Sequence, residues 1–205
     1  MALNANALTT VSRLREWLSE GLTATNGGRF SDERLTALIN GASAAIEAWC
    51  DRVLVAPAQP VTYTFDGDGG EKLVLPDWPI VAVSTLTVDG RTVPARSDPL
   101  GVGYVVRPYE GWLALVGETF GRGTANVVVQ ARLGYDATLA LTDRRHRRAL
   151  ADLEQACLLL AALWFEKPAA ARLASTVGTH ATRYADGELP AEVRGLLAPY
   201  RRWGV

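Results

Sequence analysis

Between Pro60 and Tyr135 the apolar residues recur at every second position, whereas before and after that stretch they recur every three to four. This change of period constrains the fold more than any other feature. A two-residue repeat lines one face of a strand, and a 3.6-residue repeat lines one face of a helix. The central runs VTYTF, KLVL, IVAVSTLTV, YVVR, WLALV and NVVVQARL are rich in β-branched and aromatic residues and read as six short strands. Between them stand DGDGGE at 66–71, Asp89-Gly90 and GETFGRG at 117–123, all turn chemistry. The pattern predicts a small antiparallel sandwich or barrel-like block with neighbours joined by hairpins and no βαβ unit.

The flanks read as four helices, near 10–20, 31–52, 143–167 and 190–198. Thr9 or Thr10 caps the first, which carries Val11, Leu14 and Leu18 on one face and stops at Gly21. Ser31 is placed to cap the second. There Asp32 and Glu33 complement the positive end of the helix dipole, and Leu35, Leu38, Ile39, Ala42, Ile46, Trp49 and Cys50 recur at helical spacing. The third opens at Thr142 or Asp143 with the polar DRRHRRALADLE, then becomes apolar all round in ACLLLAALWF before Pro168 prevents continuation. A helix without a polar face must be covered on more than one side, either by helix two or by a neighbouring subunit. The last helix has Pro190 at its first position, a stripe of Leu189, Val193, Leu196, Leu197 and Tyr200, and Pro199 to end it. The fold class expected is α+β: a helical domain from residues 1–58 and 138–205 with an inserted β domain at 59–137.

Charge narrows the functional classes. The net charge of -1 disfavours a surface that is a general trap for nucleic acid or anionic membrane. It is the sum of -1 over residues 1–58, -3 over 59–137 and +3 over 138–205, so any basic working surface is local to the C-terminal third. Cys50 and Cys157 both sit in apolar helical segments, as free thiols in a reducing compartment do. The first residues lack the apolar core of a signal peptide, and the run Ala156–Phe165 is about half the length that spans a bilayer, so synthesis in the cytoplasm is expected.

Candidate sites are few. Asp66, Asp68 and Glu71 resemble a calcium loop but lack its twelve-residue span and flanking helices, so a tight glycine hairpin is the better reading. Arg144, Arg145, Arg147 and Arg148 crowd a helix N-terminus, the wrong end for positive charge, and suggest a contact to an acidic protein surface or to DNA phosphates. Arg201, Arg202 and Trp203 form an aromatic flanked by arginines near the C-terminus, a plausible docking anchor. His146 and His180 have no ligand partners at metal spacing, and no nucleophile elbow, phosphate loop or dinucleotide fingerprint is present. No catalytic, cofactor-binding or metal set emerges, and the expectation is that the chain is not an enzyme. A carbohydrate- or host-binding module using Trp78 and Trp112 of the β-block is the alternative.

The second helix at 35–52, the block TYTFDGDGGEKLVLPDWPIVAVSTLTVDG at 62–90, the late strand ending in Gly134-Tyr135 and the tail LPAEVRGLLAPYRR at 189–202 resemble the head-tail connector, or adaptor, family of tailed bacteriophages and gene-transfer particles. The resemblance implies a structural virion protein that forms a ring, usually of twelve subunits, beneath the portal at the head–tail junction. It would bridge the portal to the next tail-joining component, a stopper or tail terminator, and DNA would pass through its channel. It further implies subunit packing through Ile46, Trp49, Leu160 and Trp164, portal docking through Tyr200, Arg201, Arg202 and Trp203, and a DNA or intersubunit contact at the arginine cluster.

Overall fold

The computed structural model describes residues 2–21, 31–98, 101–166 and 189–202, and within them each longer helix begins where a capping side chain stands. The hydroxyl of Thr10 accepts from the Arg13 amide at 3.3 Å and opens α1, Val11–Gly21. Ser31 accepts from the Arg34 amide at 3.4 Å and opens α2, Asp32–Cys50, which stops at Asp51 in the left-handed conformation, φ 51°. The Asp143 carboxylate accepts from the Arg145 amide at 2.7 Å at the head of α3, Arg144–Glu166. Pro190 lies one residue before the first helical position of α4, Ala191–Leu197, and Pro199 does not end the structure there. The chain continues as a 3-10 turn, Ala198–Tyr200, because a proline early in a turn lacks only a donor that has no partner anyway. Pro168, His180 and Trp203 lie outside the described residues.

Contacts divide the chain into two compact units, one from Met1–Arg52 with Ala137–Val205 and one from Val53–Asp136. In the helical unit α3 packs on α1, α2, α4 and a 3-10 turn at Leu139–Leu141. Leu153, Ala156, Cys157, Leu160, Ala161, Trp164 and Phe165 are all buried, so the helix that is apolar all round takes its cover from its own chain. Gly41 of α2 makes room for this: a Cβ there would stand 3.3 Å from the Trp164 ring. Residues ahead of α1 lie along the bundle, with the Leu8 amide donating to Ser43 at 3.1 Å and Thr9 donating to Glu154 at 3.1 Å.

The β unit holds seven strands: β1 Val61–Gly67, β2 Lys72–Val74, β3 Ile80–Val88, β4 Arg91–Val93, β5 Gly103–Arg107, β6 Trp112–Val116 and β7 Gly123–Leu133. They form two antiparallel sheets, ordered β1-β7-β3-β4 and β2-β6-β5. The strand beyond the expected six is β4, which follows a two-residue turn with Asp89 at φ 51° and Gly90 at φ 76°, the backbone that a tight hairpin demands. The hairpin expected at 66–71 is corrected. β1 pairs with β7 and β2 with β6, so this segment carries the chain from one sheet to the other. Hydrogen bonds from the Gly69 amide to the Phe120 carbonyl and from the Phe120 amide to the Gly70 carbonyl, both 2.8 Å, hold the crossover. Gly67 is required at its start, since a Cβ would come within 1.9 Å of the Gly121 carbonyl oxygen. The inner faces bury Leu86, Val88, Val127, Val129 and Ala131 against Tyr104, Leu113, Leu115 and Phe120. Each large apolar side chain among them contributes about 1.5–3 kcal/mol.

Candidate assembly site

At the start of α3 the four arginines are exposed while His146 and Ala149 turn into the bundle. They are not equivalent. The Arg147 guanidinium donates to the carbonyls of Ala140 and Leu141, each at 2.9 Å, and so closes the 3-10 turn that leads into the helix. Arg148 lies 3.7 Å from the Asp152 carboxylate one turn on. Arg144 and Arg145 follow closely on Leu141, which is 79% exposed, so the cluster combines positive charge with an uncovered apolar side chain.

The C-terminal segment is fastened to the helical unit. Tyr200 is buried and donates its hydroxyl to Asp152 of α3 at 2.5 Å. The Arg201 guanidinium stands 4.8 Å from the centroid of the Trp49 ring, and the Arg202 amide donates to the Cys50 carbonyl at 2.9 Å, continuing the end of α2. Tyr200 is therefore part of the protomer's own packing. Removing residues 199–205 takes away an internal hydrogen bond along with the tail, so it does not leave the fold untouched. Ile46, Leu160 and Trp164 are 0%, 1% and 6% exposed, and their burial needs no second subunit. Trp49 is half-buried beneath Arg201. Burial raises both thiols, Cys50 and Cys157, from an ordinary 9.0 to about 11; neighbouring Arg52 and Arg201 oppose the shift at Cys50, as does the Ser43 hydroxyl at Cys157.

The outer faces of the two sheets differ. On the four-stranded sheet Thr62, Gln130 and Thr85 stand side by side, as do Thr64, Val128, Thr87 and Thr92. On the three-stranded sheet one row is Lys72, Ala114 and Val105 and the next is Val74, Trp112 and Arg107. Val74 is 69% exposed and Val105 37%. The Lys72 ammonium lies 4.7 Å and the Arg107 guanidinium 5.9 Å from the centroid of the Trp112 ring, so cations already occupy the aromatic surface that a sugar would stack on. Trp78 is half-buried.

A cleft of about 220 Å³ between α1 and α3 is lined by Arg13, Glu16, Trp17 and Leu158, and its charged pair is joined at 3.1 Å. Among the described residues no three His, Cys, Asp or Glu side chains are grouped to hold a metal. The pattern of the head completion protein family matches residues 7–203, nearly the whole length.

The chain belongs to the head completion protein family.

Family membership makes it a head-tail connector, a structural protein of the virion's head–tail junction. Three solved structures share its fold over 100% of this chain and 94% of theirs. They are the neck of an empty GTA particle computed with C6 symmetry (21% identity, TM-score 0.62), the neck of the native particle computed with C12 symmetry (21%, 0.60) and the virion of a native gene transfer agent particle (22%, 0.63). Comparison with curated proteins finds no match. Two structural features that sequence reasoning missed are the anchoring of Tyr200 on Asp152 and the apolar outer face of the three-stranded sheet. The first pairs residues 48 positions apart, and the second depends on which strands are neighbours.

Proposed function

We propose that this connector forms a closed ring of twelve copies beneath the portal, joins it to the next tail component, a stopper or tail terminator, and lets DNA pass through its channel. The observation that carries the reading is the family match across residues 7–203, supported by the whole-chain likeness to a neck with C12 symmetry. The subunits make heterologous contacts, which close on themselves when the rotation between neighbours divides a full turn. Arg201, Arg202 and Trp203 dock on the portal, with Tyr200 as the root that fixes where the segment leaves the helical unit. Arg144, Arg145, Arg147 and Arg148 supply the local basic surface, touching either DNA phosphates, without sequence preference, or a neighbouring subunit. The exposed Leu141 among them favours the subunit, because a phosphate backbone offers nothing apolar to cover it. Co-sedimentation with purified portal rings tests the proposal. Saturation at one chain per portal subunit is expected, and a chain that stays in the supernatant at every ratio contradicts it.

A further inference from the structure

We infer that the outer face of the three-stranded sheet is the surface on which a second copy of this chain seats. The inference rests on the ring proposed above and names the part of the β unit that takes the neighbour. The β unit itself shows what a solvent face of this fold looks like. On the four-stranded sheet the outward positions are mostly threonine and glutamine, side chains that hydrogen-bond to water from a strand at no cost in packing. At the equivalent positions of the three-stranded sheet stand Val74, Val105, Ala114, Val116 and Trp112, and Val102, 58% exposed, immediately precedes β5. Two of the seven large apolar side chains exposed among the described residues, Val74 and Val105, are on this smaller sheet and a third, Val102, stands just ahead of it, which singles the region out from the scattered exposure of an ordinary surface.

Charge identifies the occupant. β2, β5 and β6 contain no carboxylate, and the polar side chains on the outer face are Lys72 and Arg107, both held over Trp112. Two copies cannot meet through this face alone, since that would set like charges opposite one another over desolvated valines. DNA supplies negative charge but no apolar surface to cover Val74 and Val105. A different, acidic surface of a neighbouring copy supplies the charge within a protein contact, and the same unit carries one. Residues 59–137 hold nine acidic against six basic groups. Asp66, Asp68, Glu71, Asp89 and Glu118 lie at one end of the sandwich, where they outnumber Arg91, paired with Glu118, and Arg122, which donates to the Asp68 carbonyl at 3.3 Å; Asn126 accepts there from the Gly67 amide at 2.8 Å and donates to Asp89 at 2.8 Å. The contact is therefore heterologous, cationic sheet face to acidic end, which is the arrangement that propagates around a ring.

The test places a photoreactive residue at Val74, and separately at Val105, in the full chain assembled into particles. A ladder of covalently joined copies of this chain is expected. In the Lys72→Glu, Arg107→Glu variant the yield should fall by about tenfold, and Asp66→Lys, Asp68→Lys in the same chain should restore part of it. Solubility and far-ultraviolet circular dichroism of each variant show that it has folded. If micrographs of the particles show the ring and the probes join the chain to another virion protein or to nothing, the seat assigned here is wrong while the ring stands. If no ring is present, the proposed function fails and this inference with it.

Discussion

The helical unit buries the apolar half of α3 within one protomer, whereas the β unit leaves apolar side chains of its smaller sheet in solvent. The segment ACLLLAALWF looks from its pattern like the surface that needs a neighbour, yet α1, α2 and α4 wrap α3, and Leu160 keeps 1% of its exposure. The strands KLV, GYVVR and WLALV are shorter and more ordinary, yet Val74 and Val105 stay uncovered and Trp112 is only half-buried. Apolar density along a sequence thus identifies what must be buried. It does not say whether the cover comes from the same chain, and in a protein that assembles with others that distinction separates fold from assembly.

Substitutions break this comparison at different strengths. Leu160→Ala removes a fully buried side chain from the bundle and should cost about 2–5 kcal/mol, read as a drop in the urea midpoint of the isolated protein. An unchanged midpoint would mean that α3 is covered by something other than its own chain. Tyr200→Phe deletes the hydroxyl bonded to Asp152 and should cost about 1–2 kcal/mol while leaving portal binding in place at low temperature. Loss of binding without loss of stability would instead make Tyr200 a docking residue. Ser31→Ala removes the α2 cap and should cost about 1 kcal/mol in the same assay. Val74→Lys, on an outward position, should change stability by no more than about 0.5 kcal/mol yet impair assembly. A large loss of stability there would place Val74 in the fold instead of the interface.

The thiols give a pH-dependent counterpart. Cys50 and Cys157 hold their protons to about 11 in the folded chain, against 9.0 ordinarily, so they contribute stability in full below pH 9. Above it the unfolded thiols ionise first and that contribution declines through about 11. Thiol titration at pH 8 should find both unreactive until the protein is denatured.

Much of the fold is legible in the sequence. Thr10, Ser31 and Asp143 mark three helix starts by capping chemistry, and six of the seven strands follow from alternation. What escapes is pairing. DGDGGE reads as a hairpin because glycine and aspartate suit any tight reversal, and only the pairing of β1 with β7 and of β2 with β6, with Gly67 pressed against the Gly121 carbonyl, shows that the chain crosses to the other sheet. β4 escapes because three residues are too few to establish a period. The arginine cluster and the tail are visible as charge, but Arg147 bonding to Ala140 and Leu141 and Arg201 lying over Trp49 come from folding, which turns part of each patch inward to the protomer.

Electron micrographs of the full chain bound to its portal, averaged without imposed symmetry, test the central assignment most directly. A closed ring with one copy per portal subunit and twelvefold rotational order is the result expected. Single copies scattered on the portal, or portal rings with no added layer, would contradict it.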